Sequence, residues 1–375
     1  MYFFCFSNAT QFDTVVPLIE ELIARNERVV AFVNSLAEAY AAGLGEKIAT
    51  RKELFAEILP IDLPNNAVVR FLAYLKIKRI LKKKIDLYRP KAIITFTEGG
   101  SVEWLFLGVA REKGIKAITI QWAIVWEPYI YDAMHKRKPR LAEKAIGRKR
   151  FILSLFGLNY PRMKYYGDGN AERILTMGDF WTQQFKKVHP QLKEKFVTFG
   201  VPRFAKYRPQ SEKEGYALFT SGAGAFLYDY KKEDHLSEIR DIYEAARKAG
   251  MRLLHKPHPR DPVKNDIDAL AAQYQNVSVT FENLDRLLPS ANCLLTIRST
   301  TGFEALLCGT PVIVYETGKQ SIGFDYAAHG LASKAKSVVE LVNLLVNEPF
   351  MPSQDQVASY VQTRSWFDVF QQASN

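Results

Sequence analysis

Residues 293–315 read CLLTIRSTTGFEALLCGTPVIVY. The stretch divides into an apolar strand, CLLTI, a hydroxyl-rich loop, RSTTG, a helix running to Cys308, and a second strand, PVIVY. Strand, loop, helix and strand in that order argue a parallel sheet. Working back from it, the same alternation begins at Tyr216: strand YALFT (216–220), loop SGAG (221–224), a helix through Lys248, strand MRLLHKPHP (251–259), a helix through Tyr274, strand VSVTF (277–281) and a short helix at 284–289. The tail at 353–370 is amphipathic and suits packing back across the first half of the chain.

That first half alternates in the same way. The opening MYFFCFSNAT is a short buried strand, followed by a helix through Ala24 and a strand at 28–33. KAIITFT (91–97) leads into a helix through Arg111 and a strand at 116–121, and further short strands fall at 173–180 and 196–199. Two βαβ series in 375 residues mean two doubly wound α/β halves, since one core of roughly 100–200 residues would not use up the chain. The expected domains are 1–205, 206–350 and a C-terminal segment 351–375.

Hydrophobic residues at 47%, aromatics at 13% and charged residues at 24% exclude a disordered, collagenous or disulfide-stapled class. Cys5, Cys293 and Cys308 are odd in number, far apart and set in apolar runs, which suits buried thiols in a reducing cytosol. No apolar run approaches the ~20 residues of a membrane span. The expected location is cytoplasmic, with any membrane contact peripheral, on the inner face of the cytoplasmic membrane.

The net charge of +11 is local. Segment 70–91 holds nine basic residues against one acid, and 136–150 holds eight against one. In the first of these Phe71, Leu72, Leu75, Ile80, Leu81 and Ile85 recur at near-helical spacing among Lys76, Lys78, Arg79, Lys82, Lys83 and Lys84, the pattern of a basic amphipathic helix. It is either a solvated face over the sheet or a surface for anionic lipid or glycan, and 136–150 is the second segment expected to meet an anionic membrane. Nucleic acid is a poor partner, because the basic stretches lack interleaved aromatics and no nucleic-acid motif is present.

Ligands of open α/β sheets collect at the carboxyl ends of the strands, and four loops there carry polar or glycine-rich residues. Thr97-Glu98-Gly99-Gly100 offers a carboxylate beside glycines that admit a ligand: Glu98 is either a general base or a helix-start acid favoured by the dipole. Ser221-Gly222-Ala223-Gly224 is either a phosphate-binding turn or a plain one. His255-Lys256-Pro257-His258-Pro259-Arg260 packs histidines and cations just past a buried strand, which suits an anionic phosphate and, without further ligands at the right spacing, not a zinc ion. In Arg298-Ser299-Thr300-Thr301-Gly302-Phe303-Glu304 the hydroxyls either receive an anion or serve only as an N-cap, and Glu304 either bonds ribose hydroxyls or favours the dipole. Gln121 and Trp122 end another strand, where they line an acceptor site or pack in the core.

HKPHP followed by STTGFEALLCGTPVIVY resembles the nucleotide-binding half of GT-B glycosyltransferases, which are built of two Rossmann-like domains facing a cleft. More narrowly, the chain is similar to bacterial capsule Kdo transferases and to sialyltransferase and polysialyltransferase-like enzymes. Their acidic-glycine, HP and S/T motifs match Glu98-Gly99, His258-Pro259 and Ser299-Thr300; one departure is Thr97, where that pattern often has a second acid. Gly200-Val201-Pro202-Arg203-Phe204 resembles the hinge strand of related surface-carbohydrate enzymes.

The resemblance implies an inverting, metal-independent transfer of Kdo or a sialic-acid-like nonulosonate from a CMP-activated donor to a bacterial surface glycan, with no cofactor. It makes Glu98 the base; His258, Pro259, Lys256, Arg260, Ser299, Thr300, Thr301, Glu304, Ser221 and Gly222 the phosphate and nucleotide contacts; and Gly99, Gly100 and Gln121 the acceptor lining. Alternatives are a UDP-sugar transferase, an enzyme like the UDP-GlcNAc 2-epimerases, and a CDP-polyol phosphate transferase of the teichoic acid type.

Overall fold

The computed structural model describes residues 1–34, 43–124, 147, 150–158, 160–161, 166–210, 212–221, 231–258, 261–297, 299–317, 324–363 and 365–375. The chain forms two compact units, Met1–Arg203 with Tyr360–Asn375, and Phe204–Ser359. Each is a parallel sheet with helices between its strands, the Rossmann-like plan.

In the first unit the strands are β1 (Tyr2–Phe6), β2 (Val29–Asn34), β3 (Glu57–Ile61), β4 (Ala92–Thr95), β5 (Lys116–Ile120), β6 (Arg173–Thr176) and β7 (Phe196–Thr198). Their order in space is β3-β2-β1-β4-β5-β6-β7, every pair parallel. All five residues of β1 are buried, as a strand covered on both faces requires. The β3 strand, EILPI, is the one the sequence hides: it sits at the sheet edge, carries Pro60 and leaves Ile58 and Pro60 exposed, so its apolar residues mark no buried face.

The chain ends in two helices rather than one, Gln354–Tyr360 and Trp366–Ser374, and only the second closes over the first sheet. Phe370 is fully buried and meets Tyr2 at 5.4 Å and Phe199 at 6.5 Å between ring centroids. The crossing itself is tight. Gly200 has φ +95°, and a side chain there would meet the Gln362 carbonyl oxygen at 2.2 Å, while Val201 N–H donates to that same oxygen at 3.0 Å.

In the second unit the strands are β8 (Tyr216–Ser221), β9 (Arg252–Pro257), β10 (Val277–Val279), β11 (Cys293–Thr296), β12 (Val312–Tyr315) and β13 (Ser333–Ala335), in the order β10-β9-β8-β11-β12-β13 and all parallel. The three-residue β13, SKA, has no apolar run to show in the sequence. In both sheets the winding reverses beside the first strand, between β1 and β4 and between β8 and β11. Those are the points where open sheets leave a crevice at the strand ends. All three cysteines are free and buried.

Candidate functional site

At the winding reversal of the second unit, register decides which side chains share a face. Thr220 lies beside Lys256 and Thr296, and Phe219 beside His255. Successive strand residues point to opposite faces, so Thr220, Lys256 and Thr296 form one row and Phe219, Ser221 and His255 another.

The first row is a hydroxyl ladder. Thr220 Oγ1 lies 3.0 Å from Thr301 Oγ1 and 3.4 Å from Thr296 Oγ1, which ties the β8 and β11 ends to the start of the helix Thr301–Leu307. Lys256, His258, Ser299, Thr300 and Thr301 are half-buried there. Burial pulls the Lys256 ammonium below its ordinary value, so an arriving anion would favour its charged form.

Thr300 takes the N-cap position without a side-chain cap bond; Ser299 Oγ instead accepts from Thr301 N–H at 3.3 Å. Ser299 is held from behind by Tyr326, whose hydroxyl donates to the Ser299 carbonyl at 2.8 Å. Tyr326 also packs so close to Gly302 that a side chain there would meet its ring at 2.5 Å. Glu304 is 6% exposed and stands in the first turn of a two-turn helix.

The opposite row holds Ser221, expected as a nucleotide contact, and His255 of the HKPHP loop. His255 is fully buried, with Nδ1 2.6 Å from the Tyr243 hydroxyl and Nε2 2.9 Å from Ser221 Oγ. Burial depresses its pKa to about 3, so the ring is neutral and one nitrogen accepts while the other donates. Ser221 is therefore a buried partner of His255, on the other face of the sheet from Lys256 and Thr301. Gly222, Pro259, Arg260 and Arg298 lie outside the described residues, as does the basic segment 136–150 apart from Gly147 and Arg150.

In the first unit the structure places the expected acceptor-side residues as follows. Glu98 is fully buried: Oε1 accepts from Lys195 Nζ at 2.9 Å and Ala171 N–H at 3.2 Å, and Oε2 from Gly167 N–H at 2.8 Å. Lys195 also donates to the carbonyls of Gly167 and Gly169. With both oxygens engaged and no surface on solvent, Glu98 anchors the 166–171 loop in this arrangement.

Gly100 is small for an internal reason, since a side chain there would fall 2.1 Å from Glu103 Oε2. Gly99 donates its N–H to Thr97 Oγ1 at 3.3 Å. Gln121 is 1% exposed and bridges backbone, accepting from Met177 N–H and donating to the Ala123 carbonyl, so it does not line an open site. Trp122 packs against the core.

What does gather at the winding reversal of the first sheet is a network the sequence left unread. Ser7 Oγ donates to Glu103 Oε1 at 2.5 Å, and Asn34 Nδ2 reaches Ser101 Oγ at 2.6 Å and Ser7 Oγ at 3.3 Å. Glu103 is 1% exposed, and burial raises its pKa against the lowering effect of the Ser7 bond. Its residues come from the ends of β1 and β2 and from the turn and helix start that follow β4, an assembly with no signature in linear spacing. Among the described residues no group of three or more His, Cys, Asp or Glu is placed to hold a metal ion, and no helix is long and apolar enough to cross a membrane.

With this geometry in hand, the chain was compared with known proteins. A family profile described as "Capsule polysaccharide biosynthesis protein" matches residues 229–335, a stretch that includes Lys256, His258, Ser299, Thr300 and Glu304. No curated protein sequence matches. Among solved structures, UDP-GlcNAc 2-epimerase from Methanocaldococcus jannaschii aligns with TM-score 0.62 at 10% identity over 99% of both chains. The glycotransferase of kitacinnamycin aligns with TM-score 0.62 at 18% identity over 99% of this chain and 98% of that one. MurG from Acinetobacter baumannii aligns with TM-score 0.57 at 12% identity over 99% of both. The fold is that of the GT-B glycosyltransferases and of the epimerases built on the same two Rossmann-like halves.

Proposed function

We propose that the chain is a nucleotide-sugar-dependent glycosyltransferase of capsule polysaccharide assembly, receiving its donor phosphate at the carboxyl ends of β8, β9 and β11. The observation that carries this reading is a coincidence of position. The capsule-family match covers the segment that contributes Lys256 and His258 to one strand end and Ser299 and Thr300 to the next but one. A cation and several hydroxyls at a winding reversal suit an anion whose charge grows as the leaving nucleotide departs. Arg260, Pro259 and Gly222 belong to the same proposed set. Glu304, buried in the first turn beyond Thr301, is the proposed ribose contact.

The donor we favour is a CMP-activated acidic keto-sugar, Kdo or a nonulosonate, transferred with inversion to a surface glycan. A UDP-sugar donor is the second reading, supported by the fold likeness to UDP-GlcNAc 2-epimerases. On the acceptor side Glu98 stays the proposed base, and the Ser7–Glu103 pair is a second proposed proton-handling group. Its carboxyl has a raised pKa, and Ser7, half-exposed, links it to the surface.

The test is a transfer assay on the full chain, offering CMP-Kdo, a CMP-nonulosonate and UDP-N-acetylhexosamines with capsule oligosaccharide acceptors. Released nucleotide and product mass are read together. CMP release with a matching gain in acceptor mass is the expected result. Interconversion of UDP-sugars with no acceptor gain would replace the transferase reading by an epimerase one.

A further inference from the structure

The basic segment 70–91 is a helix, Ala67–Tyr88, and the structure separates its cations into two sets. Lys82 pairs with Glu112, Lys84 with Glu57, and Lys78 with Glu112 at 3.3 Å while also donating to the Gly157 carbonyl at 2.6 Å. These three are spent inside the fold. Lys76, Arg79 and Lys83 face solvent, along the same side as Val69 and Leu72, which are 49% and 57% exposed. The spacing 69, 72, 76, 79, 83 is one face of a helix, apolar at its start and cationic beyond.

A second exposed apolar row lies beside the first. Residues 150–155 are helical, and Phe151, Ile152, Leu155 and the following Phe156 are 65%, 53%, 66% and 52% exposed. The two rows are neighbours: Phe156 packs edge-on against Phe71 at 4.8 Å, and Lys78 holds Gly157. Phe151 further borders a cavity of about 470 Å³ that Arg150, Ser154 and Asn170 also line, so a polar, cationic recess adjoins the apolar row.

Large aliphatic and aromatic side chains side by side in water are costly, and soluble surfaces rarely carry them together. Here they border cations whose acids lie elsewhere. A protein partner of matching shape would need acids opposite Lys76, Arg79 and Lys83 and an apolar ridge opposite Leu155. An anionic bilayer supplies both at once, through headgroup charge at the surface and acyl chains just beneath.

We propose that this face of the first unit, Val69, Leu72, Phe151, Ile152, Leu155 and Phe156 bordered by Lys76, Arg79 and Lys83, docks on an anionic lipid surface. The docking is independent of the donor reading, because none of these residues belongs to the strand ends where the nucleotide is placed.

The experiment is co-sedimentation of the full chain with vesicles of phosphatidylcholine alone or with about one-third phosphatidylglycerol, at low and at high salt. The parent protein is expected to pellet with the anionic vesicles, to do so several-fold less with neutral ones, and to release as salt rises. K76E/R79E/K83E and, separately, L72S/F151S/L155S should each lower the bound fraction about tenfold. The first retains the apolar row and the second the charge. All six positions are exposed, so melting temperatures should stay within a few degrees of the parent, which separates lost docking from lost folding.

Three outcomes would overturn the proposal: equal recovery on neutral and anionic vesicles, variants that bind as the parent does, or a concentration-dependent dimer by light scattering that L72S/F151S/L155S abolishes. The last would make the face a contact between copies of this chain. Nucleotide affinity should be the same in both variants, so failure here leaves the transferase reading standing, and failure of that reading leaves this one testable.

Discussion

At the scale of single residues, the chemistry of this protein is decided by burial more than by residue type. Glu98 and Glu103 are both acids near the end of β4, yet one is locked in an ion pair and the other holds a proton more tightly than usual. Breaking a buried pair leaves an uncompensated charge, so Lys195→Met should cost about 3–5 kcal/mol in urea unfolding. An unchanged midpoint would show the pair to be loose. Gly100→Ala should also destabilise, by about 1–3 kcal/mol, because its methyl group would displace the Glu103 carboxyl.

His255 gives a pH dependence whose sign can be worked out. Its folded pKa is near 3 and its unfolded one about 6.5, so between them the unfolded chain binds the extra proton. Its contribution to stability is whole above pH 6.5 and is withdrawn as the pH falls, at about 1.4 kcal/mol per unit. His255→Gln should flatten the decline between pH 6.5 and 4 in denaturant titrations; an identical slope in both proteins would contradict the assignment. None of these three roles was visible in the sequence. The partners of Glu98 and Glu103 lie 97 and 96 residues away, and His255 is one of two histidines in HKPHP that the sequence cannot tell apart.

At the scale of elements, the sequence was most informative where strands are buried on both faces. YFFCF, AIIT, CLLT and VIVY are short runs with no polar face, and each is a central strand. The losses are at two sheet edges, where β3 exposes apolar residues and β13 is short and polar. The amphipathic tail was readable as a segment that packs back, and the break between its two helices was not: Ser365, at φ +58°, carries no glycine signal. The second tail helix contributes Phe370 to the core of the first unit, so Phe370→Ala should cost about 3–5 kcal/mol and lower the melting temperature by several degrees. A shift under one degree would mean that this helix is an ornament on the sheet.

At the scale of the whole molecule, two parallel sheets of the same design carry different chemistry at equivalent points. The first gathers Ser7, Asn34, Ser101 and Glu103, proposed to handle protons; the second gathers Thr220, Lys256, Thr296 and Thr301 with Ser299 and Thr300 beside them, proposed to receive an anion. The net charge of +11 divides along the same lines, with part of the cations spent in ion pairs, part at the second sheet's edge and part on the exposed face of the first unit. The anion-receiving set is the centre of the account. Its most direct test is a calorimetric titration of the full chain with CMP, CDP, UDP and GDP, repeated on Ser299→Ala/Thr300→Ala. Saturable one-to-one binding is expected, tightest for the cytidine nucleotides and weakened about tenfold per hydroxyl removed. Heat from none of the four, or an affinity untouched by the double substitution, would contradict it.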